Sequence, residues 1–330
     1  MADAVARLGS SRIPVGFWGL FVLAGVGLLV AAMVPVGPDW FAGVGAVTIA
    51  GTYSWALAAR TGGRPVVFGS LAVVIGAVVL VLDEDSLRTG AAVMTCVVTS
   101  VLAVMATVPA VRFIHAVREC VVAVLLSGVG ALATVGFEPA ITLARFEYAT
   151  LALALVGAFG VVYRLGAGLH GLGRRGLLTV LVGGFLLAAI LAYAEVLRRY
   201  GTPSLVTSLL DGVVWSREHL GAFPRPIEAL VGIPALAWGC HMRARRRQGW
   251  WVCAFGVTAS TPVANALVNP STSLSEATLS VVYGVVVGLA LGFVVIRLDL
   301  ALTGPRGRRS RRAEEAAAAR PEPSRTTALL

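Results

Sequence analysis

Residues 277–296 read ATLSVVYGVVVGLALGFVVI, with no charged side chain between Glu276 and Arg297. As a helix rising 1.5 Å per residue, this stretch covers about 30 Å, the thickness of a bilayer's hydrocarbon core. It predicts a membrane span. Working outward, residues 176–196 (GLLTVLVGGFLLAAILAYAEV) carry one acid, Glu195, near one end. Residues 66–82 (VVFGSLAVVIGAVVLVL) carry none. Ten segments of this kind follow one another: Val15–Val36, Phe41–Ala59, Val66–Leu82, Gly90–Ala110, Cys120–Phe137, Phe146–Leu165, Gly176–Val196, Pro226–Met242, Trp250–Val268 and Ala277–Ile296. Pro226–Met242 is the weakest, being short, with Pro234 inside and Glu228 near one end.

The composition agrees. Of 330 residues, 57% are hydrophobic and 13% charged, and the mean hydropathy is +0.85. Soluble domains average about 45–50% apolar and about 25% charged. A soluble single domain and a disordered chain are both excluded. The fold class is therefore all-α: a polytopic transmembrane bundle over residues 1–303, with a polar, Arg- and Pro-rich tail over 304–330 that reads as disordered.

Net charge is +10, and all 27 basic residues are Arg. This usage fits a GC-rich bacterial genome. The arginines are spread through short loops, which is the pattern of topology signals and not of a nucleic-acid-binding face. With the N-terminus inside, Arg7, Arg12, Arg60, Arg64, Arg112, Arg118, Arg164, Arg174, Arg175, Arg243, Arg245, Arg246, Arg247 and Arg297 fall inside. Asp39, Asp83, Glu84, Asp85, Glu138, Glu147, Asp211, Glu218 and Glu276 fall outside. The expectation is ten spans in a bacterial plasma membrane with both termini cytoplasmic. The first segment is read as a retained span, because it is longer than a signal peptide's apolar run of about 7–15 residues. Arg243–Arg247 and the tail are the expected contacts to anionic lipid headgroups, at roughly 1 kcal/mol per Arg.

Function has few places to reside. The ninth segment is the most polar span, with Thr258, Ser260, Thr261, Pro262 and Asn265, and Asn269-Pro270 just beyond. Pro262 has no backbone donor, so the Thr258 carbonyl is freed and the helix is expected to break there. Interrupted helices mark substrate sites in many transporters. Thr95 and Thr99 share one face of the fourth segment and form a second, weaker stripe. Together Thr258, Thr261, Pro262, Asn265, Asn269, Thr95 and Thr99 form the candidate substrate site.

Residues 197–225 are the one long loop. Thr202-Pro203 predicts a helix start, followed by an amphipathic helix lying in the outer interface. Arg198, Arg199, Arg217, Glu218 and His219 around it are candidates for contacting an anionic substrate. Asp83 and Asp85, with Glu84 between them, are weak candidates for holding a divalent cation, and no metal centre or cofactor is otherwise expected. Cys96, Cys120, Cys240 and Cys253 form no C-x-x-C and read as apolar fillers. The remaining ionisable residues, Glu119, Glu195, Glu228, His115 and His241 among them, read as interfacial, and no mid-membrane carboxylate is expected. Gly284, Gly288 and Gly292 have G-x-x-x-G spacing, which signals close helix packing.

Residues 224–256, PRPIEALVGIPALAWGCHMRARRRQGWWVCAFG, resemble uncharacterised multi-span membrane proteins of high-GC Gram-positive bacteria. That resemblance implies no activity. Three readings remain open. One is a transporter- or flippase-like protein for a small or lipid-linked substrate. Another is a non-catalytic subunit or scaffold of an envelope or division complex, with protein partners. The third is an outer-face enzyme using a lipid-phosphate donor. The absence of a catalytic motif leans against an enzyme.

Overall fold

Twelve helices and two π-helical turns make up the regular structure of the computed structural model, which describes residues 13–34, 36–167, 169–245, 249–303 and 322–329. The helices are α1 (Ile13–Met33), α2 (Trp40–Arg60), α3 (Pro65–Leu82), α4 (Asp85–Met105), α5 (Phe113–Gly136) and α6 (Leu143–Val162). A π turn (Tyr163–Ala167) follows, then α7 (Leu169–Tyr200) and α8 (Pro203–Leu220). A second π turn (Glu228–Gly232) leads into α9 (Ile233–Arg243), and α10 (Gly249–Ala254), α11 (Val257–Val268) and α12 (Leu274–Thr303) complete the chain's helices.

Among the described residues, nine helices are long and apolar enough to cross a membrane. The protein is thus a multi-pass helical membrane protein. Each of the nine overlaps a segment expected from the sequence. Of the ten expected segments, Pro226–Met242 has no counterpart among the nine, because the π turn at Glu228–Gly232 interrupts the regular helix and leaves α9 with only 11 residues. A π turn inserts one residue into a helix and rotates the side chains that follow, so it commonly marks a functional position.

Burial sorts the helices. Only 6% of the α7 span is buried and 11% of α1, whereas 89% of the α10–α11 span is buried. Apolar side chains on a weakly buried helix, such as Leu178, Leu181 and Phe185 of α7, face the surroundings as lipid-facing residues do. The α10–α11 segment is instead the centre of the bundle. α11 packs on α5, α6, α4 and the second π turn. Small residues permit this closeness. A Cβ on Gly232 would lie 2.3 Å from the Ala259 backbone nitrogen, and one on Gly288 would lie 2.6 Å from Ile233 Cβ. The Gly284, Gly288 and Gly292 stripe of α12 accordingly receives Glu228, Ile233 and Ala237.

The break in the ninth segment is not where Pro262 predicts it. Pro262 sits inside α11, and the interruption falls at Phe255–Gly256. There the amides of Phe255, Gly256, Thr258 and Ala259 each bond to the carbonyl three residues back. These tighter turns reorient the chain before the proline. Gly256 allows the turn because a Cβ there would lie 2.7 Å from Leu236 Cδ1.

Opposite ends of the bundle are tied differently. At one end Arg88 bridges Asp83 (2.5 Å) and Glu138 (2.7 Å). Both acids have left-handed backbones, at φ 53° and 52°, so a single guanidinium fixes two tight loops. At the other end, residues 322–329 are held against α2, α5 and α9. These contacts belong to a tail whose composition reads as disordered. Residues 304–321 lie outside the described residues.

Candidate functional site

Glu228 opens the second π turn, and no part of it reaches solvent. Its carboxyl group rests on α12, where a Cβ on Gly284 would lie 2.7 Å from Cδ and 2.9 Å from Oε2. Gly284 lies seven residues into the 277–296 apolar stretch, roughly 10 Å along the helix. The acid thus packs against the apolar stretch of α12, about two helical turns from Glu276. Neither carboxyl oxygen has a hydrogen-bond partner among the described residues. Arg225 is its charged neighbour. Burial pushes the Arg225 guanidinium down from its ordinary value, while the charges of Glu147, Glu228 and Glu276 oppose that shift.

One helical turn further on, Gly232 brings the same segment against Thr258 and Ala259 at the start of α11. Thr258, Ser260, Thr261, Pro262 and Asn265 are all buried. Thr258 Oγ1 donates to the Phe255 carbonyl (2.7 Å), which stabilises the break. Among the described residues Asn265 Oδ1, and Thr99 Oγ1 on α4, are buried without a hydrogen-bond partner. Buried polar atoms are nearly always satisfied, and each exception calls for an explanation such as a water, an ion or a ligand.

The structure brings α4 against α11. Their side chains separate, however. A Cβ on Gly130 would lie 2.1 Å from Thr99 Oγ1, so Thr99 points at α5. Thr95 lines a cavity of about 560 Å³ between α2, α3 and α4, with Ser54, Leu57, Phe68, Ile75 and Met94. The walls are almost wholly apolar. Asn269 does not join the set: its Oδ1 accepts from the Ser271 amide (3.0 Å) and hydroxyl (2.7 Å), which closes a turn.

Of the candidates around α8, Arg199, Arg217 and His219 each take a different partner. Arg199 pairs with Glu195 of its own helix (2.5 Å), and Arg217 pairs with Glu276 at the start of α12 (3.0 Å). His219 stacks on Trp215 and Glu218 is exposed. The Arg198 side chain lies outside the described residues. Helix α8 does begin at Pro203, and its Leu209, Leu210 and Val214 are exposed, as an interfacial face requires. Asp83 is engaged by Arg88, and Asp85 opens α4, where an acid favours the helix N-terminus. Among the described residues no three His, Cys, Asp or Glu side chains gather to hold a metal. The four cysteines are buried and free.

A second polar centre was not legible beforehand. Arg243, expected at the headgroups, has no exposed side-chain surface. Its Nη1 donates to Thr107 Oγ1 (2.7 Å) and its Nη2 to Glu322 Oε2 (2.5 Å), while Cζ lies 3.4 Å from the Trp250 ring centre. Arg60 is also buried and donates to the carbonyls of Met105 (2.9 Å), Ser324 (2.6 Å) and Thr327 (2.6 Å). Glu119, expected at a boundary, is fully buried. It accepts from the Val108 amide (2.9 Å), Arg118 (3.0 Å) and Arg325 (2.9 Å). Arg245 contacts His241, and Arg246 and Arg247 lie outside the described residues.

Comparison of the chain with family models, curated proteins and solved structures gives no match.

Proposed function

We propose that this chain is a transporter- or flippase-like protein of the bacterial plasma membrane, crossing it ten times with both termini cytoplasmic. In this reading residues 226–243, with their π turn, form the tenth crossing, and the charge bias of the loops sets the orientation. The observation that carries the proposal is Glu228. An unpaired carboxylate in a bilayer interior is stable only when it carries a proton or holds a cation, and such residues mark transport paths. Its neighbours fit the role. A π turn and a broken helix meet at Gly232 and Thr258, supplying backbone that can rearrange and hydroxyl oxygens that can bind. The apolar cavity beside Thr95 has the size and lining to take an acyl chain, which favours a substrate with a lipid portion.

Alanine at both Thr261 and Asn265 tests this site. The double variant is expected to lose the ability to complement a deletion strain, while its unfolding temperature in detergent stays within a few degrees of the parent. Full complementation would remove α11 from the site.

A further inference from the structure

Arg60 of α2 and Arg243 of α9 bring two guanidinium groups into one end of the bundle, and both are buried. Arginine does not give up its proton under these conditions, so each charge needs an acceptor. The helices supply little. Thr107 and Met105 offer neutral oxygens, and the one buried acid nearby, Glu119, is already bound by Arg118. Among the described residues the only carboxylate on Arg243 comes from Glu322, 19 residues beyond the end of α12. Arg60 has no carboxylate in contact. Its Nη1 takes the Ser324 and Thr327 carbonyls, and its buried Nη2 has no partner among the described residues. The bundle end is thus a cationic cradle roofed by Trp250 and filled by one short segment of the same chain.

That segment is anchored at few points. Glu322 sits on Arg243 and Arg325 on Glu119, while the Leu329 amide donates to the Arg60 carbonyl (2.8 Å). Pro323, Ser324, Thr326, Thr327 and Ala328 are exposed.

We propose that the Arg60–Arg243 cradle is an oxyanion-binding site and that residues 322–329 are its intramolecular occupant. Glu322 fills the place that a phosphate or carboxylate group of a ligand takes when the segment departs. Arg243 presents two donors to such a group, Nε and Nη2, and Arg60 Nη2 a third. Binding and segment release are therefore linked. The cradle shares no residue with the Glu228 site, so the two readings fail separately.

Hydrogen–deuterium exchange of the full chain in zwitterionic lipid nanodiscs tests the proposal. Without phosphate, the Leu329 amide is expected to be protected by its bond to Arg60. Inorganic phosphate is expected to raise its exchange saturably, and sodium chloride at the same ionic strength is not. Glu322→Gln is expected to lower the phosphate needed for half the effect about tenfold or more, since it removes a charge-assisted bond. Leu329→Ala, which leaves both arginines intact, is expected to lower it in the same direction. If anionic nanodiscs alone release the segment, the ligand is a lipid headgroup; if only added phosphate does, it is a free anion. A segment that exchanges freely from the start overturns the proposal. So does equal release by chloride, or no response to phosphate and anionic lipid in both the parent and Glu322→Gln.

Discussion

Replacing Gly232 with valine is expected to remove the folded protein almost completely. A Cβ at this position would lie 2.3 Å from the Ala259 nitrogen, and 2.6 Å from Ala259 Cα and the Thr258 carbonyl carbon. All three are backbone atoms of α11, so no side-chain rotation relieves the clash. α11 itself is pinned by α4, α5 and α6, and a shift there disturbs the most buried part of the molecule. Overpacking a core by a methylene or two typically costs 1–3 kcal/mol, and a backbone clash at a strained turn goes above about 4 kcal/mol. That is a large part of a total stability of about 5–15 kcal/mol. The measurement is the yield of monodisperse protein after detergent extraction, together with its unfolding temperature. Alanine should give the same effect at smaller size. A valine variant that unfolds at the parental temperature would show that the π turn does not abut α11.

Deleting residues 322–330 is expected to destabilise the bundle by about 3 kcal/mol, because breaking a buried ion pair leaves an uncompensated charge behind. Arg243 loses Glu322, Arg60 loses two carbonyls, and Glu119 loses Arg325. Water entering the vacated space offsets part of the loss, which keeps the value at the lower end of the range. The effect should persist in high salt, since buried pairs are screened far less than exposed ones. Thermal unfolding of the truncated chain checks it. A disordered tail would leave the unfolding temperature unchanged. Deletion is thus a direct contrast between the segment as docked and as the sequence alone suggested.

Much of the helical plan was legible because it depends on local length and polarity. The run from 277 to 296 could be nothing but a long apolar helix, and α12 contains all of it. The G-x-x-x-G spacing correctly announced a close neighbour, though not which one. What escaped depends on pairing across the chain. Glu228 looks interfacial when depth is counted along its own segment, and the π turn makes that count unreliable. Its packing partner, Gly284, lies 56 residues away in the chain. Arg243 begins a run of arginines and resembles a topology signal, yet it turns inward because Thr107, Trp250 and Glu322 meet it there. Residues 322–329 have a disordered composition, and their order comes wholly from partners on α2, α5 and α9. The break at Phe255–Gly256 was assigned to Pro262 because proline is the stronger local signal, whereas Gly256 is set by the nearness of Leu236.

The central claim is that Glu228 serves function and not packing. Glu228→Gln tests it most directly, because glutamine keeps the shape against Gly284 and removes the titratable group. Complementation of a deletion strain and the unfolding temperature of the purified variant are read together. The account predicts that complementation is lost while the unfolding temperature is unchanged or raised. A Glu228→Gln variant that complements fully would contradict it.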